Sequence, residues 1–223
     1  MERMICLLIG YAFGLIQTGY LMGKIYKIDI REQGSGNAGT TNALRVLGWK
    51  IGLVTFLIDM LKCIGAVLLV RFIFQENALV QLLAIYTGLG VTLGHNFPFY
   101  MKFKGGKGIA VMGALIIITS VFTNPMLTLI PLVVFVSTVV LTRYVSLGSL
   151  QIAVLFLGLI IFYGQMGDIG LGEWNLIELY AVVFVLVLLA WYKHWENIKR
   201  LLSGTENRFG EKKNKMKPIR VGD

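Results

Sequence analysis

The stretch GIAVMGALIIITSVFTNPMLTLIPLVVFVSTVVLT, from Gly108 to Thr142, runs for 35 residues without a charged side chain. At about 1.5 Å per residue a single helix of that length would far overshoot a bilayer hydrocarbon core about 30 Å thick. The Asn124-Pro125 pair offers a place to divide it, because proline cannot continue a helix and biases the residue before it away from helical backbone. The stretch therefore predicts two short spans, 108–123 and 126–142, folded back on each other.

Working outward from that pair, apolar segments recur on both sides. They are expected at 4–23, 51–70 and 77–97 on the N-terminal side, and at 145–167 and 174–192 on the C-terminal side. The composition agrees: 56% of the 223 residues are hydrophobic and 15% charged, whereas soluble domains hold about 25% charge. A cleaved signal peptide is not expected from the first segment, since Glu2-Arg3 is a poor basic leader and Leu21-Met22-Gly23-Lys24 a poor cleavage site. Asp59 and Lys62 fall inside the second span, and their i, i+3 spacing lets each offset the other's charge. Pro98 ends the third span near Phe97.

Charge sets the orientation. With the N-terminus outside, 18 of the 21 Lys and Arg residues fall on the cytoplasmic side or in the tail, as the positive-inside tendency requires. The sequence thus predicts an all-α integral membrane protein, a bundle of seven transmembrane helices with its C-terminus cytoplasmic. One domain covers 1–206 and a basic cytoplasmic tail 207–223. The net charge of +9 then reflects loops beside anionic lipid and does not call for nucleic acid. Cys6 and Cys63 both lie in apolar segments without metal or redox spacing, so packing is their expected role. The glycine pairs Gly10-Gly14, Gly19-Gly23 and Gly90-Gly94 fit close helix contacts.

Three polar strings interrupt this apolar chain: SGNAGTTNALR (35–45), GHNFPFYMKFKGGKGIA (94–110) and HWENIKRLLSGTE (194–206). The topology puts all three on the cytoplasmic face. In the first, small residues allow a tight turn whose N–H groups can nest an anion, with Ser35, Asn37, Thr40, Thr41 and Asn42 as neutral donors. A helix starting near Thr41 would direct its N-terminus at a phosphate, with Arg45 one turn on. A polar turn that merely caps a helix accounts for the same residues. In the second, Lys104 and Lys107 flank a glycine run that a phosphate can approach closely, although Gly108 after Lys107 rules out a nucleotide P-loop. Lipid-facing lysines are the plain alternative. In the third, His194 and Asn197 share a helical face, and His194 can act as a base, a phosphate donor or an interfacial residue. Glu206 is expected to pair with Arg200 or Arg208.

Taken together, these strings resemble the acyl-phosphate-dependent glycerol-3-phosphate acyltransferase family of bacterial membranes. The resemblance runs from the first span through Glu206, and all three signatures occur in order. It implies transfer of an acyl group from acyl phosphate to sn-glycerol 3-phosphate, giving 1-acylglycerol 3-phosphate, in a bacterial plasma membrane with the active site on the cytoplasmic face. It implies Ser35, Arg45, Lys104, His194 and Asn197 as catalytic residues. Substrate binding would fall to Gly36, Asn37, Gly39, Thr40, Thr41, Asn42, Gly105, Gly106, Lys107 and Gly108. Neither metal nor cofactor is expected, and the sequence names no protein partner. Thr40 stands where the family often has alanine, Ile109 and Val111 vary the second string, and Cys63 replaces a usual glycine. The soluble-donor acyltransferases with a His-x-x-x-x-Asp pair are disfavoured, because Tyr100 and Lys199 occupy the fifth positions after His95 and His194. A carrier for a phosphorylated solute or lipid, coupled through Asp59 and Lys62, is the rival from another class.

Overall fold

The structure is a computed structural model that describes residues 1–210, so most of the expected basic tail lies outside the described residues. Among the described residues it is all helical: α1 (Glu2–Gly14), α2 (Thr18–Ile25), α3 (Thr40–Leu47), α4 (Trp49–Ile73), α5 (Val80–Asn96), α6 (Ile109–Val121), α7 (Met126–Thr142), α8 (Val145–Gln165), α9 (Glu173–Lys193) and α10 (Trp195–Leu202). Among the described residues four stretches are long and apolar enough to cross a membrane: Glu2–Ile25 taken across its interruption, Trp49–Ile73, Val145–Gln165 and Glu173–Lys193. α6 and α7 are shorter apolar helices, divided at Asn124-Pro125. Large apolar side chains point outward; Leu141 is 83% exposed and Phe72 73%. Such a surface suits lipid rather than water.

Small residues bring the central helices together. Cβ atoms built on Gly10 and Gly14 of α1 would collide with the backbone of α5, and those on Gly90 and Gly94 with the backbone of α1. These two glycine pairs thus form one close crossing, as the sequence predicts. The third pair does different work: a Cβ on Gly19 would strike the Ala38 carbonyl, and one on Gly23 the Ile28 carbonyl, so α2 presses on the loop that carries the first string.

The first segment is not one continuous helix. It breaks between α1 and α2, and side chains take up carbonyls at the break, as interrupted helices require, and at the end of α5. The Gln17 amide, fully buried, donates to the carbonyls of Gly14 (3.1 Å), Gly94 (3.3 Å) and His95 (3.0 Å). Lys62 Nζ donates to the Ile16 carbonyl at 2.6 Å and to Asp59 Oδ1 at 2.7 Å. The expected Asp59–Lys62 pair therefore forms, and it also pins the helix break. At the opposite end of the bundle, Glu178 of α9 accepts hydrogen bonds from Arg3 of α1 and, at 2.7 Å, from the Tyr86 hydroxyl of α5. Three helices are thereby fixed to one another far from the polar strings.

Candidate active site

All three strings meet at one cavity of about 510 Å³. Ser35, Asn37, Gly39, Thr40, Thr41, Asn42 and Arg45 line it from the first string, Lys107 and Gly108 from the second, and His194, Asn197 and Glu206 from the third. Its other end is apolar. Phe56 and Met60 of α4, Ile116 and Ile117 of α6, and Leu132 and Phe135 of α7 make an arm between α4 and α7, with α6 as its floor. Ile117 and Leu132 are themselves exposed at the outer surface, so the arm opens sideways toward lipid.

The first string is shaped by its own side chains. Asn42, 1% exposed, accepts the Ser35 N–H at 2.8 Å and donates to the carbonyls of Ile30 (2.9 Å) and Gln33 (3.0 Å). Gly34 and Gly36 hold left-handed backbone at φ +61° and +70°, where glycine is favoured. Asn37 Oδ1 accepts the Gly39 N–H at 3.0 Å. The Asn42 amide is thus spent on the turn, and Gly36 lies off the cavity wall. Ser35, Asn37, Thr40, Thr41 and the start of α3 are what the turn presents. Thr40 Oγ1 is buried without a hydrogen-bond partner.

The second string closes the end of α5. The N–H groups of Gly105 and Gly106 donate to the carbonyls of Asn96 (3.2 Å) and His95 (3.0 Å), and a Cβ on Gly106 would collide with His95 Nε2. These two glycines serve close approach to α5, and their N–H groups are occupied. Lys104 is exposed and outside the cavity wall. Lys107 reaches the cavity instead, and its Nζ donates to Asn197 Oδ1, joining the second string to the third. The sequence could not separate the two lysines, since that depends on the course of the loop, which left-handed backbone at Lys102 and Phe103 turns just before Lys104.

The third string supplies a positioned histidine and a buried carboxylate. His194 lies at the junction of α9 and α10 and is 3% exposed. Its Nδ1 is 2.7 Å from the Ala190 carbonyl; a carbonyl only accepts, so Nδ1 carries the proton and Nε2 the lone pair. Burial, reinforced by the nearby Lys107 ammonium, pushes its pKa down to about 4. Burial likewise lowers the Lys107 pKa to about 8, against the raising influence of Glu206. Glu206 accepts from Asn197 (2.7 Å), Ser146 (3.0 Å) and Arg200 (2.8 Å). The expected Arg200 partnership is present, and Glu206 is a brace for Asn197.

The cavity also touches Asp59, which the sequence reading paired with Lys62, and His95, Ser146 and Ser149, to which it gave no role. An ionisable residue inside a span is by default a functional signal; Ser146 and Ser149 carry no such mark. Among the described residues no three or more His, Cys, Asp or Glu side chains gather to hold a metal ion. Cations, hydroxyls and amides at one end and hydrocarbon at the other fit a molecule with a phosphate head and an acyl tail.

A family model described as glycerol-3-phosphate acyltransferase matches residues 4–204. The chain belongs to the glycerol-3-phosphate acyltransferase family. Its relatives include the glycerol-3-phosphate acyltransferases of Thermoanaerobacter pseudethanolicus, 39% identical over 95% of this chain and 98% of that one, and of Clostridioides difficile, 41% identical over 92% and 94%. Crystal structures of PlsY (YgiH), an integral membrane glycerol 3-phosphate acyltransferase, superpose with TM-scores of 0.78 for the glycerol 3-phosphate form and 0.75 for the lysophosphatidic acid form. Both are 31% identical and cover 94% of this chain and 96% of theirs. This glycerol-3-phosphate acyltransferase is accordingly an integral membrane enzyme.

Proposed function

We propose that the protein transfers a fatty acyl group from acyl phosphate to the 1-hydroxyl of sn-glycerol 3-phosphate, releasing 1-acylglycerol 3-phosphate and inorganic phosphate. The observation that carries this reading is the two-ended cavity, in which three polar strings meet an apolar arm open to lipid. An amphiphilic donor and product need both ends; glycerol 3-phosphate needs only the polar one.

In this reading Ser35, Asn37, Gly39, Thr40, Thr41 and the start of α3 receive the acyl-phosphate head group, with Gly108 beside them. Arg45 and Lys107 hold the phosphate of glycerol 3-phosphate, with Lys107 taking the place of Lys104, which the resemblance implies as catalytic. His194 Nε2 accepts a hydrogen bond from a glycerol hydroxyl. Asn197 fixes Lys107, while Gly36, Asn42, Gly105 and Gly106 shape the two loops. The donor is already activated, so the protein aligns hydroxyl and carbonyl, offsets phosphate charge and gives hydrogen bonds to the developing oxyanion. The hydroxyl proton leaves on the departing phosphate, since His194 is too weak a base at its depressed pKa.

The same reading takes residues 1–206 as one unit of seven spans, with α1 and α2 together forming the first and α4 to α9 the rest. The N-terminus lies outside, and the three strings face the cytoplasm of a bacterial plasma membrane. The positive-inside distribution supports this orientation. Purified protein in detergent should release phosphate from palmitoyl phosphate only when glycerol 3-phosphate is added. Without compartments a carrier has nothing to transport, so absence of release sinks the enzyme reading.

A further inference from the structure

Behind the second string lies a buried group that the roles above do not use. Lys62 Nζ has three acceptors around it: Asp59 Oδ1 at 2.7 Å, the Ile16 carbonyl at 2.6 Å and His95 Nδ1 at 2.9 Å. An ammonium has three hydrogens and no lone pair, so His95 Nδ1 must be the acceptor. The His95 proton is therefore on Nε2, the tautomer opposite to that of His194. His95 is 3% exposed, and among the described residues its Nε2–H has no acceptor. Yet it lies against Gly106 and belongs to the cavity wall. Gly39 of the first string stands beside Gly106, for a Cβ there would lie 3.9 Å from the Gly106 Cα.

A neutral donor held in one tautomer at a cavity wall is available to whatever accepts from it there. Its position decides what that is. Asp59 Oδ1 lies 3.8 Å from His95 Nδ1, and Met60, the next residue of α4, belongs to the apolar arm. In an acyl phosphate, the group at the boundary between charged head and hydrocarbon tail is the carbonyl. The cations Arg45 and Lys107 suit the phosphates, and an uncharged N–H suits a carbonyl oxygen that gains charge only during reaction.

We propose that His95 is a further catalytic residue, its Nε2–H donating to the acyl carbonyl oxygen, with Lys62 and Asp59 as the positioning residues that hold this tautomer. This rests on the acyl-phosphate reading given above. The 1-hydroxyl oxygen adds to the carbonyl carbon, and the C=O π pair moves onto the oxygen that His95 faces. His95 stabilises that oxyanion without giving up its proton. Return of the pair restores the C=O and expels phosphate with the bridging C–O electrons, and the hydroxyl proton goes with the phosphate.

Two histidines in the chain make the test direct. Nitrogen-15 NMR of histidine-labelled wild-type protein in detergent should show one Nε2–H and one Nδ1–H ring, with the Nε2–H ring lost in His95→Gln. A long-chain 2-oxoalkylphosphonate, in which CH2 replaces the bridging oxygen, should shift the Nε2–H proton of His95, and glycerol 3-phosphate alone should not. An Nδ1–H tautomer at His95, or a signal that the phosphonate leaves unmoved, overturns the proposal without any variant having to fold. In kinetics, His95→Phe should lose about 10²- to 10³-fold in kcat, with the KM for palmitoyl phosphate little changed. His95→Gln, which keeps an N–H near the same point, should recover much of that loss. Wild-type kcat in His95→Phe, or a change in KM alone, overturns it while wild-type turnover still supports the acyltransferase reading. Failure of wild-type protein to release phosphate would instead defeat that reading itself.

Discussion

His194 Nδ1 donates to the carbonyl of Ala190 at 2.7 Å, which leaves Nε2 as an acceptor at the cavity and ties the ring to the last turn of α9. With its pKa held down to about 4 by burial and Lys107, the ring is neutral at and above about pH 5. His194→Ala should therefore raise the KM for glycerol 3-phosphate about three- to ten-fold, the worth of one neutral hydrogen bond, and leave kcat at saturation within a few-fold. Scaled pH–rate profiles of the variant and wild type should superimpose between about pH 5.5 and 7.5. Abolished turnover at saturating substrate would make His194 the base.

Lys107 is a cation below its pKa and neutral above it, so its contribution to phosphate binding is present at low pH and fades as pH rises. Burial brings that change down to about pH 8. The kcat/KM for glycerol 3-phosphate should fall with an alkaline limb near pH 8, and the limb in kcat should lie higher, because bound phosphate favours the charged form. In Lys107→Met the limb should vanish and kcat/KM drop, whereas Lys104→Met should keep both near wild-type values.

Glu206 holds Asn197, Ser146 and Arg200 together from a side chain only 5% exposed. Glu206→Ala leaves the Asn197 amide and the Ser146 hydroxyl without their shared acceptor, and should cost about 2–3 kcal/mol. The Arg200 end is 35% exposed and contributes less, because solvent screens it. Thermal unfolding in detergent reads the loss, and Glu206→Gln should recover part of it. Unchanged unfolding in Glu206→Ala would remove the brace.

Gly113 lies on α6 at the cavity wall, and a Cβ there would meet nothing within 4 Å. Gly113→Leu should thus intrude on the apolar arm, raising the KM for palmitoyl phosphate more than that for a short-chain acyl phosphate and sparing the KM for glycerol 3-phosphate. Gly158→Ala, also open but in α8 away from the cavity, is the control and should behave as wild type. Equal effects on both chain lengths would place the tail elsewhere.

The helices were legible because hydrophobic runs, Pro98 and Asn124-Pro125 are local signals; α7 (Met126–Thr142) begins and ends where the sequence places it. The break at 15–17 was not, since it depends on Gln17 and Lys62 reaching carbonyls made free by long-range packing. Within the strings, residue type showed which groups can meet a phosphate, but not which of them the fold has already used. Asn42, Gly105 and Gly106 look like ligand donors and are instead bound to their own chain. Choosing Lys107 over Lys104 required the three-dimensional course of the loop.

The sideways mouth of the apolar arm, between α4 and α7, also fixes how the two substrates are counted. Glycerol 3-phosphate reaches the polar end from water, at a concentration per volume. The acyl donor arrives from within the leaflet, where what matters is its mole fraction among amphiphiles. Adding inert lipid or detergent at constant total donor should therefore slow the reaction by surface dilution, with no change in any bulk concentration. Product leaves by the same two-dimensional route, delivered directly into the sheet that it enlarges.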